Sequence, residues 1–137
     1  MACRISELVI DCLDPRALAE FWCQVLEWVV LDGATDDEVE VGPREAGFGG
    51  PQPTIVFGRT SEPKTQKLRL HIDVSPTDRD QDAELERLFG IGAVPAQIGQ
   101  TGDESWHVLA DPEGNEFCLL RRRLEPVTTP LAPDRDR

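Results

Sequence analysis

The stretch that decides the fold is residues 106–120, WHVLADPEGNEFCLL, which has the pattern of a strand, a tight turn and a second strand. The Asp, Pro, Gly and Asn residues in its middle each favour a bend. After the turn, the side chains of residues 116–119 alternate, so Cys118 faces away from its apolar neighbours. Two interpretations of Cys118 stay open at this point. It is a small buried residue of the core, or it faces a site.

A second stretch, residues 68–74 (LRLHIDV), alternates cleanly and predicts a strand with Arg69, His71 and Asp73 on one face. Residues 5–12 (ISELVIDC) alternate in the same way. A helix is predicted after each of these strands. The first opens at Asp14-Pro15, with Asp14 as N-cap and Pro15 at the first helical position, and the second covers residues 78–91 and stops at Gly92.

Shorter alternating or apolar runs predict the remaining strands, near residues 28–31, 38–41, 54–59, 94–97, 105–110 and 116–121. The order strand, helix and three strands therefore occurs twice, and the two halves are weakly similar in sequence. We expect one domain over residues 1–123, with module one at about 4–60 and module two at about 67–122. The Pro-rich, charged tail, residues 124–137, is expected to be disordered.

Length and charge limit the class of protein. A chain of 137 residues suits one compact domain, and a net charge of −12 argues against nucleic acid and anionic membranes as partners. No stretch has the length and hydropathy of a membrane span, and no secretory signal follows Met1. The four cysteines (Cys3, Cys12, Cys23 and Cys118) form no C-x-x-C pair, so we expect reduced thiols in a cytoplasmic protein. Phosphate-binding loops, dinucleotide fingerprints and nucleophile elbows are absent from the sequence.

The sequence resembles the vicinal oxygen chelate superfamily of glyoxalases, bleomycin resistance proteins and dioxygenases. The resemblance lies in the doubled unit and in three segments: DPRALAEFWCQVLEW after the first strand, RLHIDV at the start of the second half and WHVLADPEGNEFCLL at its end. Within this superfamily, the chain looks most like small glyoxalase-like proteins common in actinobacteria. The resemblance covers about residues 4–122. It implies an α+β fold in which two tandem βαβββ modules form a curved, cup-like mixed sheet with the helices on its outer face. It also implies a homodimer.

The resemblance further implies a divalent metal held by His and Glu side chains, or a small organic ligand in members that lack the metal. The second-module metal histidine falls on His71. In module one, the same spacing before the helix gives Glu7, and a rival register gives Val9. Where many superfamily enzymes keep a glutamate as the last ligand, this chain has Cys118. A set of Glu7, His71 and Cys118 suits zinc or ferrous iron better than magnesium or manganese.

Each of these residues also has a simpler interpretation. His71 is a metal ligand or general base, or else an ordinary hydrogen-bonded strand histidine. Asp73 orients the His71 imidazole or forms an ion pair with Arg69. Trp106 is an apolar wall of a ligand pocket or part of the core, and Trp22 is expected in the core. The basic run at residues 121–123 is interpreted as a solvated edge and a potential dimer contact.

Two hypotheses of function follow from the resemblance. The first is a small-molecule binding protein for a drug or metabolite, with Trp106, Arg69 and Asp73 contacting the ligand beside His71. The second is a metal-dependent lyase, isomerase or dioxygenase in which His71 is catalytic and a divalent ion polarises the oxygens of the substrate.

Overall fold

The computed structural model describes residues 2–127. Residues 128–137, most of the predicted disordered tail, lie outside the described residues. Module one contains β1, α1, β2, β3 and β4, and module two contains β5, α2, β6, β7 and β8. The bounds are β1 Glu7–Cys12, α1 Pro15–Leu26, β2 Val29–Val30, β3 Glu38–Gly42, β4 Thr54–Arg59, β5 Ile72–Val74, α2 Gln81–Gly90, β6 Val94–Pro95, β7 His107–Ala110 and β8 Glu116–Leu119.

The strands form two four-stranded mixed sheets with the same order, β1-β4-β3-β2 and β5-β8-β7-β6. In each sheet the first strand runs parallel to the last strand of its module, and the other pairs are antiparallel. The register places Asp73 of β5 directly opposite Cys118 of β8. The predicted fold class, two tandem βαβββ modules with mixed sheets, is therefore confirmed.

The start of α1 matches the sequence prediction. Asp14 caps it by accepting a hydrogen bond from the Ala17 amide at 3.2 Å, and Pro15 occupies the first turn. In contrast, α2 begins at Gln81 rather than at Asp78, because Asp80 accepts the capping bond from Ala83 while Asp78 pairs with Arg79. The helix ends as predicted before Gly92, whose φ of +115° is a left-handed value that glycine tolerates.

The strand β5 is shorter than the predicted strand over residues 68–74. It starts at Ile72, where its pairing with Phe117 begins, because β8 itself starts only at Glu116. Leu70 consequently does not join the apolar face expected for this stretch and is 73% exposed. Ile72 and Val74 pack against the core as predicted.

The core lies between the helices and one face of each sheet. Trp22 of α1 is 1% exposed, which confirms its predicted place in the core. Its ring packs edge-on against that of Phe117 of β8, with the ring centroids 5.0 Å apart. Alternate residues of the strands face the helices, among them Val39, Val41, Ile55, Phe57, Leu109, Phe117 and Leu119. The residues between them form the opposite face, which we call the inner face. Among residues 2–127, no helix is long and apolar enough to cross a membrane.

Side chains of module two hold both ends of α1. Glu113, in the turn before β8, accepts hydrogen bonds from the amides of Leu13 and Asp14 at 2.6 and 3.0 Å. At the other end, Arg87 of α2 donates to the carbonyls of Gln24 and Val25 at 2.8 and 2.9 Å. The first helix is therefore fixed to the second module at its two unsatisfied ends.

Candidate functional site

Three potential metal ligands converge on the inner face of module two. His71 Nε2 lies 3.1 Å from Asp73 Oδ1, and each of His71, Asp73 and Cys118 offers a ligand atom within 4.8 Å of the others. We call these three residues the inner-face cluster. The cluster joins adjacent strands, because Asp73 and Cys118 are register partners and His71 precedes β5 on the same face. Asp73 contacts His71, and no ion pair between Asp73 and Arg69 occurs in the described part of the chain.

The Cys118 thiol is the buried member of the cluster. Its residue is 4% exposed, whereas the side chains of His71 and Asp73 are 38% and 46% exposed. Burial raises the pKa of the Cys118 thiol, and the negative charge of Asp73 raises it further, while Lys67 acts in the opposite direction. In the protein without an added ion, Cys118 is therefore a protonated thiol at neutral pH rather than an activated nucleophile.

The seam between the modules contains a cavity of about 330 Å³, which we call the seam pocket. Its walls come from β1 and from residues 68–72 and 115–117 of module two. The apolar part includes Leu8, Val9 and Phe117, and the polar part includes Arg69 and His71. His71 thus belongs both to the seam pocket and to the inner-face cluster. This volume falls in the range of small-molecule sites.

A sequence profile of the glyoxalase-like domain matches residues 7–120, which is most of the chain. The chain belongs to the glyoxalase-like domain family. Solved structures of the wider glyoxalase, bleomycin resistance and dioxygenase superfamily share its fold, as expected from the resemblance. No curated protein matches the sequence.

Three solved structures illustrate the likeness of this glyoxalase-like domain to known folds. A glyoxalase/bleomycin resistance protein/dioxygenase family enzyme from Burkholderia phytofirmans PsJN has a TM-score of 0.63 at 17% identity, covering 85% of this chain and 97% of its own. The fosfomycin resistance protein FosX from Mesorhizobium loti has a TM-score of 0.64 at 14% identity, and the match covers 90% of this chain and 96% of FosX. A mutant FosX from Listeria monocytogenes, in complex with Mn(II) and 1S,2S-dihydroxypropylphosphonic acid, has a TM-score of 0.64 at 13% identity. The match covers 88% of this chain and 90% of that protein.

The structure brings together only some of the residues predicted for the site. Arg69 and His71 line the seam pocket, and Asp73 and Cys118 complete the inner-face cluster. Glu7 is exposed on β1 and is not a member of that cluster, while Val9, its rival, lines the seam pocket.

Trp106 precedes β7 in a bend, is 43% exposed and is not among the described residues that line the seam pocket. Asp11 was not singled out in the sequence, yet it lines the seam pocket beside the stretch that carries Arg69 and His71. Its alternation with Glu7 and Val9 on the inner face was the available signal. Alternation does not indicate which position along β1 lies opposite module two.

The segment between the modules is tied to the inner face by Glu116. Lys64 Nζ lies 2.8 Å from Glu116 Oε1, and the Leu68 amide donates to Oε2 at 3.2 Å. The two charged side chains are only 21% and 11% exposed. Burial alone would raise the pKa of Glu116, but the bonds from Lys64 and from the backbone outweigh it and hold this pKa below its usual range.

The lowered pKa of Glu116 predicts a pH dependence of stability in this glyoxalase-like domain. Its contribution is present above the usual carboxyl pKa near 4.5 and is lost as the pH falls through the lower folded value. Glu116→Gln should therefore flatten the loss of stability between roughly pH 5 and 3 and lower the free energy of unfolding at pH 7 by about 1 kcal/mol. Urea unfolding at several pH values measures this. Exposed Glu62→Gln is the control, and equal slopes for the two variants would contradict the prediction.

The four free cysteines should differ sharply in reactivity. Burial raises the pKa of Cys12 to about 12, with nearby carboxylates adding to the shift, and burial with Glu20 raises that of Cys23 to about 11. Only Cys3 is exposed. At pH 8, we expect one fast-reacting thiol per chain with Ellman's reagent and the other three to react at least about 100-fold more slowly. Cys3→Ser should abolish the fast phase, and a Cys118 that reacts as fast as Cys3 would contradict the description of its environment.

Proposed function

We propose that this glyoxalase-like domain is a small-molecule binding protein for a drug or metabolite, with the seam pocket as its binding site. The observation that carries the proposal is a cavity of about 330 Å³ whose walls combine apolar side chains of both modules with Arg69 and His71. Apolar walls with a few convergent polar groups are typical of ligand sites. The relative that binds dihydroxypropylphosphonic acid supports small-molecule binding on this fold.

The polar groups of the seam pocket indicate the kind of ligand. Among the described residues, Arg69 makes no ion pair, so its guanidinium is available for an acceptor group of the ligand. Asp11 lines the same pocket and offers an acceptor for a hydroxyl or amine, whereas both oxygens of Glu116 already accept bonds from Lys64 and the Leu68 amide. We infer an apolar or aromatic ligand that carries both an acceptor and a donor. Trp106 and Asp73 are proposed as further ligand contacts, although neither lines the seam pocket itself.

Calorimetry tests the binding function with a panel of aromatic hydroxy acids and polyketide-like compounds. We expect at least one compound to bind saturably to wild type and about tenfold more weakly to Arg69→Ala, since the variant loses a charged hydrogen bond. Exposed Arg122→Ala is the matched control and should bind like wild type. A panel that binds no better than solvent, or a loss that is equal in the two arginine variants, would refute the proposal.

The inner-face cluster favours a second candidate function, a metal-dependent lyase, isomerase or dioxygenase. The donors fit a divalent ion of the softer kind, because one imidazole nitrogen, one carboxylate oxygen and one sulfur are typical ligands of zinc and of ferrous iron. Separations within 4.8 Å require only a small closure onto an ion, and the two exposed side chains are free to make it. The set differs from the predicted one, in that Asp73 takes the place expected for Glu7.

When bound, the ion would supply Lewis-acid polarisation of neighbouring substrate oxygens. The residues of the chain have their own parts in this proposal. His71 reaches both the cluster and the seam pocket, so it is the proposed catalytic residue, and Asp73, whose Oδ1 lies 3.1 Å from His71 Nε2, would be the second donor to the ion. Cys118 must lose its proton to become a ligand. Because its pKa is raised, zinc affinity should increase as the pH rises.

Metal analysis of protein purified without chelator tests the second function without an activity assay. We expect one zinc or iron per chain in wild type, after loading if necessary, and loss of the metal in Cys118→Ala and His71→Ala. Cys23→Ala is the matched control, since Cys23 lies on α1 outside the cluster. A wild-type protein that takes up no zinc, iron, manganese or nickel would exclude this candidate. Retention of the metal by Cys118→Ala would exclude the ligand set.

A homodimer and a cytoplasmic location are also proposed. Ile5, Val9 and Leu70, on or beside the seam strands, are 68%, 62% and 73% exposed, which supports burial of this region in a second copy. The four free cysteines support a reducing compartment. Light scattering should give twice the chain mass for wild type and a smaller mass for Leu70→Glu. A monomer at high concentration would refute the dimer.

A further inference from the structure

A larger cavity, of about 490 Å³, lies beside the seam pocket, and Asp73 is the one lining residue that it shares with the inner-face cluster. We call it the helix cleft. It opens between the end of α1, α2, the loop at residues 43–53 and the chain after β8. The two cavities share only Leu8 and Ile72 among their lining residues. We propose that the helix cleft is a second ligand site, specific for an organic cation with an apolar body.

The interior of the helix cleft is apolar. Its walls come from both modules and are formed by Leu8, Val25, Leu26, Trp28, Ile55, Ile72, Val74, Leu88 and Leu119. Apart from Trp28, which follows α1, these positions belong to the helices or to the helix-facing side of the sheets, so the apolar interior of the cleft is a gap in the core layer. Asp73 of the inner face also lines the cleft. The DPEGN turn of module two closes onto the start of α1 through Glu113. At the cleft, the corresponding loop of module one, residues 43–53, leaves the volume open.

The charges around the helix cleft select the sign of the ligand. Six carboxylates line it, against a single basic lining side chain among the described residues. Three of the six already have a partner, since Asp78 and Glu84 contact Arg79 and Asp73 contacts His71. The basic side chain, Arg87, already bonds Glu84 and the carbonyls that end α1, so it is not available to an anion. The carboxylates without an ion pair in the described part of the chain include Glu27, Glu45 and Glu125. An apolar chamber with an acidic mouth favours an ammonium group on a hydrocarbon body.

Glu27 supports this inference independently of the charge count. It caps the end of α1 with φ 55° and ψ 41°, and it is the only described non-glycine residue with a positive φ. Glycine is strongly favoured at such a position because a side chain is strained there. The exposed Glu27 is one of the carboxylates that line the cleft. We interpret Glu27 as a residue that serves binding at the expense of helix termination.

Three probes with the same ring system separate charge from apolar contact, namely 2-(1-naphthyl)ethylammonium, 2-(1-naphthyl)ethanol and 1-naphthaleneacetate. Calorimetry with the full chain should show the ammonium binding about tenfold tighter than the alcohol and the carboxylate binding most weakly. Amide NMR shifts on adding the ammonium should fall at Trp28, Val74 and Leu88. Equal affinities, shifts confined to Arg69 and His71, or no saturable binding by any probe would each overturn the proposal. The proposal does not depend on the seam pocket, since the panel used there can fail while these probes bind.

Variants at Glu27 provide the matched test. Glu27→Gln should weaken the ammonium about threefold and leave the alcohol unchanged, whereas Glu20→Gln, the same change at an exposed site of α1 outside the cleft, should do neither. Glu27→Gly should also weaken the ammonium, and it should raise the melting temperature by about 3 °C because it removes the strained side chain. Unchanged ammonium binding in both Glu27 variants would overturn the assignment of this residue.

Discussion

Asp111→Ala should lower the free energy of unfolding by roughly 3–4 kcal/mol, because one buried carboxylate satisfies four donors. Asp111 is 2% exposed. It accepts hydrogen bonds from the Trp22 indole at 3.0 Å, from the backbone amides of Glu113 and Asn115, and from the Asn115 side chain. The substitution strands the indole N–H in the core and removes three bonds that shape the DPEGN turn. Because Trp22 belongs to module one, the same change loosens the contact between the modules.

Urea unfolding followed by Trp fluorescence measures this loss, with exposed Asp103→Ala as a control that should fall within about 0.5 kcal/mol of wild type. Trp22→Phe removes the donor and keeps most of the ring. In a double-mutant cycle, Asp111→Ala should therefore cost less in the Trp22→Phe background than alone, by about 1 kcal/mol. An Asp111→Ala loss below 1 kcal/mol would show that the turn and the indole find other partners.

Arg87→Ala should lower the free energy of unfolding by about 2–3 kcal/mol. The guanidinium bonds Glu84, which is 6% exposed, and the last carbonyls of α1 at Gln24 and Val25. Without the Arg87 guanidinium, the buried Glu84 carboxylate keeps only Arg79 as an ion-pair partner, at 3.8 Å, and the two carbonyls at the end of α1 lose their hydrogen-bond donors. The second module then no longer caps the end of the first helix.

Arg79→Ala is the matched control for Arg87→Ala, because it removes an arginine near the same carboxylate whose side chain is 39% exposed and whose close partner is the exposed Asp78, so it should cost much less than Arg87→Ala. Arg87→Lys keeps the charge but not the planar set of donors, so it should recover less than half of the loss. Unfolding in urea measures all three variants. Equal losses at Arg79 and Arg87 would contradict the role assigned to the bonds between the modules.

Local pattern was sufficient to predict the two modules and the faces of β1, β7 and β8, although Leu70 does not join the apolar face expected for residues 68–74. Alternation over residues 68–74 and 116–119 placed His71, Asp73 and Cys118 on one side of the sheet, where they do converge. Asp14-Pro15 predicted the start of α1, since capping depends on neighbouring residues alone. The start of α2 was harder to predict, because Asp78 and Asp80 are both suitable caps and only their partners in space distinguish them.

The bonds between the modules were beyond the reach of local pattern. The bond from Trp22 to Asp111 joins residues 89 apart in sequence, and that from Arg87 to Val25 joins residues 62 apart. Nothing in the spacing of a turn or a helix encodes such a partner. The same reason explains the placement of Glu7, since alternation gives the face of β1 but not the position that lies opposite module two. The outlines of both cavities depend on this relative placement, so the sequence indicated Arg69 and His71 as pocket residues but not the walls that lie opposite them.

The most direct test of the central claim, that the seam pocket binds a small organic molecule, is a crystal structure of the full chain with the tightest compound of the calorimetric panel. We expect electron density for the compound between β1 and residues 68–72, with its acceptor within hydrogen-bonding distance of the Arg69 guanidinium and its body against Val9 and Phe117. Density for the compound elsewhere on the protein, with an empty seam pocket, would contradict the claim.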